Sequence, residues 1–418
     1  MDHANHATHL LFALFIVFVA AQIGAEIAQR IKLPAVVGEI AAGCIVGPSV
    51  LGWVTISEPL QVLAEIGAVL LLFSVGLETR IGDLKKVGRI ASLVGVAGVI
   101  LPFVLGIVWA KLSGFETPQA MFVAAAFVAT SAGITARVLQ ELGVLGRRES
   151  RIILGAAVID DILAMLLLGV VTALQGGGGV NVLHLAVVTA QALGFVLLIA
   201  LVGTKLMRQS SSLLDAPINP LSPLTLSLAL CLGLAAAAAS LGLAAIIGAF
   251  LAGTAAAETK QRHVLEKQLQ PIMALLVPFF FVTTGAQVDL QALGQWPVIW
   301  GVVTATLLAV AGKIIGCGLG ARALGRRSAL IVGVGMVPRG EVGIIVASLG
   351  KSAGVFADTT YAIIIAMSLL TSVIAPPALG RLLQGLPAEP DDVDFEASSL
   401  VRIEETGHSG PARKPEPR

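Results

Sequence analysis

The chain reads as a succession of long apolar stretches divided by short polar punctuation. A window of about 20 residues, the length that crosses a bilayer as a helix, finds thirteen of them: 9–29, 34–51, 58–78, 87–112, 118–144, 148–174, 182–206, 222–240, 242–257, 265–288, 296–321, 328–350 and 358–383. The expected fold class is an all-α polytopic membrane protein of about 13 transmembrane helices.

The basic residues orient these spans. Numbering the connections alternately puts 23 of the 27 Lys and Arg on one side, in groups such as Lys85-Lys86-Arg89, Arg147-Arg148-Arg151 and Arg322-Arg326-Arg327. Only Lys111 and Lys351 fall on the other, while Lys313 and Arg339 lie mid-span. Cytoplasmic loops carry the excess of Lys and Arg, so the expected topology is N-terminus outside and C-terminus cytoplasmic. The first stretch has no Lys or Arg ahead of it, which argues for a span over a signal peptide. Residues 386–418, acidic and Pro-containing, are expected to be a disordered cytoplasmic tail behind a transmembrane domain of residues 1–385.

Composition narrows the class. Of 418 residues, 56% are hydrophobic and 13% charged, half the charge of a soluble domain at about 25%. Soluble enzymes, nucleic-acid binders and disordered chains are excluded, and a net charge of +1 gives no bulk attraction for nucleic acid. Cys44, Cys231 and Cys317 lie in apolar stretches without metal-like spacing and read as small buried hydrophobes. The run Gly176–Gly179 precedes no Lys-Ser/Thr pair and reads as an external connection rather than a phosphate loop. His3, His6, His9 and His184 face outside, with metal binding improbable.

The chain also resembles itself. Val36–Gly43 matches Ile246–Gly253, Phe73–Gly76 matches Phe281–Gly285, and Ser131-Ala132-Gly133 matches Pro338-Arg339-Gly340, all at offsets near 210. The matched spans are seven helices apart and run in opposite directions. That predicts inverted-topology repeats: repeat one about 9–174, a linker helix about 182–206 and repeat two about 222–383.

Five ionisable residues sit near mid-span: Asp160, Asp161, Lys313, Arg339 and Glu341. Each costs about 2.5–3.5 kcal/mol at mid-bilayer. Three acids against two bases leave one carboxylate over, the chemistry of a cation or proton site. Adjacent helical residues point about 100° apart, so Asp160 and Asp161 cannot share a partner. One division pairs Asp160 with Lys313 and leaves Asp161 on the ion; spacing alone does not assign the roles. Thr130-Ser131-Ala132-Gly133-Ile134-Thr135 in the fifth span, and Pro338 and Gly340 in the twelfth, interrupt their helices at matched positions. Non-helical backbone at that depth lines cavities, which predicts two crossed broken helices beside the carboxylates. Glu39 and Glu65 lie nearer the ends of their spans, with structural and access roles both open. Glu26 and Glu78 are expected to be solvated.

The stretch Thr130–Gly143, followed by Ala157-Val158-Ile159-Asp160-Asp161, with Lys313 in Ala311-Gly312-Lys313 and the run Pro338-Arg339-Gly340-Glu341, resembles the second family of monovalent cation:proton antiporters and its NapA-type sodium/proton antiporters. The resemblance covers about residues 9–383. It implies an NhaA/NapA-like fold and a homodimer in a bacterial-type inner membrane. It further implies a six-helix core that moves elevator-like against a dimerisation domain. Asp161 would carry Na⁺ (Li⁺ and K⁺ being further candidates), with Thr130 and Ser131 lining the site. Asp160 would bond Lys313, which releases its proton when sodium binds. The double Asp implies electrogenic exchange. Substrates would be monovalent cations and protons, with no cofactor. Glu341 and Arg339 would be supporting charges, and Ala132, Gly133, Thr135, Pro338 and Gly340 the broken-helix backbone. No segment resembles the nucleotide-binding regulatory domain of the glutathione-gated potassium-efflux relatives.

Three rivals fit less well. A sodium-coupled symporter on a related fold needs aromatic anchors, and aromatics are only 5% of the chain. An intramembrane aspartyl protease needs two carboxylates converging on one water, which adjacent positions do not do. In a channel, a buried Lys beside the pore would hinder cation flow.

Overall fold

The computed structural model describes residues 2–79, 81–175, 182–199, 221–288 and 296–384. The tail, the Gly176–Gly179 run and the end of the linker helix lie outside the described residues, as do the side chains of His3, His6, His9 and His184. Every described element is helical. Eight described helices are long and apolar enough to cross a membrane, and Ala35–Val46 and Ala245–Ala256 are shorter apolar helices.

The first set comprises α1 (Asp2–Arg30), α2 (Ala35–Val46), α3 (Glu58–Glu78), α9 (Ser222–Ser240), α10 (Ala245–Ala256) and α11 (Arg262–Ala286), which pack among themselves. The second comprises α4 (Ile81–Leu112), α5 (Thr117–Val128), α6 (Ala132–Glu141), α7 (Arg148–Gln175), α12 (Trp296–Gly320), α13 (Arg326–Gly335) and α14 (Gly340–Ser352). A further helix, α15 (Asp358–Leu383), joins this second set through Ser368 and Ser372, which lie against Gly343 and Gly340 of α14. α8 (Val182–Leu198) packs on α7.

Glycine explains how the first set closes. A Cβ at Gly43 of α2 would overlap the Val282 carbonyl of α11, and one at Gly285 of α11 would overlap the Ile40 carbonyl of α2. The same reciprocal contact joins Gly76 of α3, against the Phe250 carbonyl, to Gly253 of α10, against the Phe73 carbonyl. Small residues let helix backbones approach where lipid supplies no hydrophobic drive. The four glycines are the ones that the sequence matches paired, Gly43 with Gly253 and Gly76 with Gly285. The α2–α11 contact and the α10–α3 contact are therefore one contact made twice.

The two sets meet along two lines. α6 packs on α2 and α3. An apolar cluster of Ile162 (α7), Phe195 (α8), Ala238 (α9), and Ile247 and Leu251 (α10) closes the other.

The stretches 118–144 and 328–350 are interrupted where the hydroxyl run and Pro338 predict: each is two helices, α5–α6 and α13–α14, separated by non-helical residues at 129–131 and 336–339. One expectation changes: Cys44 is only half-buried, unlike Cys231 and Cys317.

Candidate functional site

The site is built where the two interrupted helices cross. A run of poor helix formers stops α5, and Ser131 then opens α6 with extended backbone. Pro338, which lacks an N–H and obstructs a preceding helical turn, follows the end of α13. The breaks are tied directly together: the Ser131 N–H donates to the Pro338 carbonyl at 2.7 Å, and the Thr135 hydroxyl donates to the Gly335 carbonyl at 2.7 Å. Gly340 adopts φ +43°, a left-handed conformation that a side chain would strain, and a Cβ there would also meet Ser131 and Ile134. Its N–H donates to the Ser372 hydroxyl at 3.0 Å. The Thr130 hydroxyl faces the Val128 and Met336 carbonyls at 3.5 Å, contacts too long to hold it firmly.

The buried charges surround this crossing. Lys313 on α12 donates its Nζ to Asp160 Oδ1 on α7 at 2.7 Å, and neither side chain reaches solvent. Asp160 Oδ2 is buried with no hydrogen bond of good geometry among the described residues, and the Thr130 hydroxyl lies beside the carboxylate. Such a pair is held by its mutual attraction and becomes costly once either partner is removed. Arg339 is also fully buried. The sequence count paired both bases with acids, whereas Arg339 is bonded to carbonyls: Nη2 to Phe127 at 2.6 Å and Ala309 at 3.0 Å, Nη1 to Val337 at 2.8 Å. Phe127 lies in the last turn of α5, so the guanidinium sits on the negative end of that half-helix. The side chain of Glu341 lies outside the described residues.

Asp161 occupies a different environment. It is half-buried and lines a cavity of about 10 Å³ with Ala132, Val158, Leu72, Ile247 and Phe250, among others, which is close to the room that one water needs. The cavity lies between the two helix sets, with Ala132, the first residue of α6, in its wall. The N-terminus of α6 offers positive partial charge there. Gly133, one residue on, lies under Phe280 and Leu72. Asp160 and Asp161 thus divide the work that about 100° of helix rotation allows: one is locked in a dry pair and the other lines an opening beside the crossing.

With this geometry established, comparison with known proteins places it. Residues 11–385 match the family model described as "Sodium/hydrogen exchanger, transmembrane". The chain belongs to this family. It is a membrane transporter of the monovalent cation:proton antiporter kind rather than an enzyme, and cations are its substrates rather than cofactors. It is 37% identical over 371 residues to the Na(+)/H(+)-K(+) antiporter GerN of Bacillus cereus, covering 87% of this chain and 94% of that one. It is 34% identical to the high-affinity Na(+)/H(+) antiporter NhaS3 of Synechocystis, covering 90% of each. The fold is similar to that of the sodium proton antiporter MjNhaP1 from Methanocaldococcus jannaschii, with a TM-score of 0.64 at 19% identity over 91% of this chain and all of that one.

Several residues of this exchanger escaped the sequence reading. Ser372 caps Gly340 from α15; its signal was the hydroxyl cluster Ser368, Thr371 and Ser372, spaced for one helix face in an apolar span. Glu78, expected to be solvated, instead accepts from Gln140 at 2.9 Å. Glu39 is buried, and Glu65 is exposed.

Proposed function

We propose that this exchanger swaps Na⁺ for H⁺ by secondary active antiport, with Asp161 as ion carrier and Asp160–Lys313 as a coupled salt bridge that opens when the cation binds. The observation that carries the reading is the contrast between neighbours: Asp160 is sealed in a 2.7 Å pair with Lys313, while Asp161 lines a cavity. Competition of H⁺ and Na⁺ for one carboxylate suffices for exchange when the empty charged site cannot cross. Opening the salt bridge supplies the second proton, which makes the exchange electrogenic. Thr130 and Ser131 at the crossing complete the site, and the α6 N-terminus favours its anionic form.

The finer architecture follows from the same reading. The chain is assigned 13 spans in inverted-topology repeats of the NhaA/NapA type, with its N-terminus outside and its C-terminus cytoplasmic in a bacterial-type plasma membrane. The reciprocal Gly43–Gly285 and Gly253–Gly76 regions support the inversion. The two helix sets serve as a dimerising scaffold (α1–α3, α9–α11) and a core that moves against it, elevator-like, in a homodimer. K⁺ is the second candidate cation. The names of GerN and of the K(+)/H(+) antiporter subunit KhtU of Bacillus subtilis, 29% identical over 81% of this chain, favour including it.

The test is exchange in proteoliposomes with Na⁺, Li⁺ or K⁺ while the membrane potential is monitored. The wild type should move net charge, with activity rising with pH as protons leave the carboxylate to the cation. Asp161→Asn should abolish exchange in protein that still folds. Wild-type transport by that variant, or a flat pH profile across the neutral range, would overturn the assignment.

A further inference from the structure

The two helix sets touch unequally along their broken helices. α6 packs on α2 and α3, whereas its counterpart α14 packs on α5 and lies against Ser368 of α15. Ile345 and Leu349 of α14 are left exposed. In the orientation proposed above, α6 lies in the cytoplasmic half of the membrane and α14 in the outer half. The seam made by α6 therefore lies on the inner side, whereas toward the outer side the two sets meet through the apolar cluster of Ile162, Ala238 and Ile247.

That seam is polar. Gln140 of α6 donates its side-chain N–H groups to Ser74 Oγ at 3.0 Å and Glu78 Oε1 at 2.9 Å, both on α3. Glu141 Oε2 accepts the N–H of Ala35 at 3.0 Å. Ala35 opens α2, where Pro34 supplies no side-chain cap, so a carboxylate from the other helix set caps a positive helix end. One turn along α2, Glu39 is only 4% exposed, with Arg137 and Glu141 of α6 as charged neighbours. Its Oε2 has no hydrogen-bond partner among the described residues. Opening the seam would hydrate that oxygen, so Glu39 opposes what Gln140 and Glu141 hold together. Such a balance suits a contact that must release in every cycle. At the matching positions of α14 stand Ala347 and Ser348, whose short side chains cannot repeat these bonds.

We infer that Gln140 and Glu141 form a latch that holds the carrier closed to the cytoplasm. They are positioning residues that act through the access equilibrium rather than as ion ligands, and the inference rests on the alternating-access reading above. A cation arriving from the cytoplasm meets a competent site only in the unlatched fraction, and its apparent affinity is reduced by that fraction.

The experiment compares Na⁺ dependence of exchange in everted and right-side-out membrane vesicles. Gln140→Met keeps the volume and removes the amide. It should lower half-saturating Na⁺ on the cytoplasmic side by about tenfold, the equivalent of one hydrogen bond to a charged group. On the outer side, half-saturating Na⁺ should stay the same or rise. Ser74→Ala, which removes one of the two acceptors, should shift it in the same direction by less. General damage would weaken both sides alike; equal changes on both sides, or none, would overturn the latch. A second readout separates this from failure of alternating access. With the native cysteines replaced, Ala35→Cys is labelled from the cytoplasmic side by an impermeant maleimide. Labelling that responds to Na⁺ and accelerates about tenfold with Gln140→Met supports the latch. Labelling that responds to Na⁺ yet ignores Gln140→Met overturns the latch alone. Labelling that never responds to Na⁺ overturns the alternating-access reading and the latch with it.

Discussion

The two helix sets solve opposite problems with the same apolar alphabet. The set containing α2, α3, α10 and α11 is held by glycines pressed against carbonyls, at Gly43, Gly76, Gly253 and Gly285. The other set holds Asp160, Lys313 and Arg339 in its interior, all at 0% exposure. In the first, backbone approach is so close that no side chain fits between the helices. In the second, backbone is interrupted, and side chains take up groups that the breaks set free, as at Phe127, Gly335 and Gly340. Rigidity bought by shape belongs to one set, and poised charge to the other. An ion carrier needs both, because a charged site can be moved or gated only against something that does not yield.

This contrast is most directly broken at Lys313. Lys313→Met leaves Asp160 buried without its counter-charge, a defect worth about 3–5 kcal/mol. Thermal unfolding in detergent should show that loss. Adding Asp160→Asn should return most of it, because removing both charges abolishes the debt that removing one creates. Were the single variant as stable as the wild type, the pair would not be the electrostatic hub of its helix set. A double variant that recovers stability but moves no net charge would separate the pair's transport role from its structural one.

The glycine contacts should fail differently. Gly253→Ala puts a methyl group into the Phe73 carbonyl, and overpacking of a tight contact costs about 1–3 kcal/mol. Gly76→Ala, in the reciprocal position, should cost a similar amount. Transport per folded molecule should keep its pH profile and cation preference, measured after normalising to folded protein. A changed cation preference would show that the glycine-packed set shapes the site as well as supporting it.

How much of this was legible in the sequence follows the same division. The glycine matches between Val36–Gly43 and Ile246–Gly253 were visible because close approach tolerates no other residue, so the physical demand is written in one letter. Asp160, Asp161, Lys313 and Arg339 were visible because charge is expensive in hydrocarbon. What was not legible was partnership. Arg339 looked like a counter-ion for a carboxylate, yet it is bonded to Phe127, Ala309 and Val337 carbonyls, groups that every residue carries and no sequence pattern marks. Glu78 was expected to be solvated, and no pattern marks Gln140 as its partner. Their bond depends on the end of α6 coming alongside the last turn of α3, a matter of where a broken helix points after the break. The break between α5 and α6, by contrast, was legible, because the hydroxyl run Thr130–Thr135 marks an interruption that hydropathy alone passes over.

The smallest effect tests whether the crossing behaves as one unit with the buried charges. Thr135→Val removes the hydroxyl that bonds the Gly335 carbonyl at 2.7 Å while keeping the branched shape. The lost hydrogen bond is worth about 1 kcal/mol, and stranding the carbonyl adds to that. Thr135 is buried, so no bulk water replaces the hydroxyl. Because the bond ties α6 to α13 rather than either helix to the ion, stability should fall by about this amount with half-saturating Na⁺ unchanged. The comparison sharpens if Thr135→Ser, which restores the donor without the methyl, regains the stability. It breaks if Thr135→Val leaves stability alone and instead weakens Na⁺ binding, for then the hydroxyl would belong to the ion's environment and the crossing would be a ligand as much as a strut.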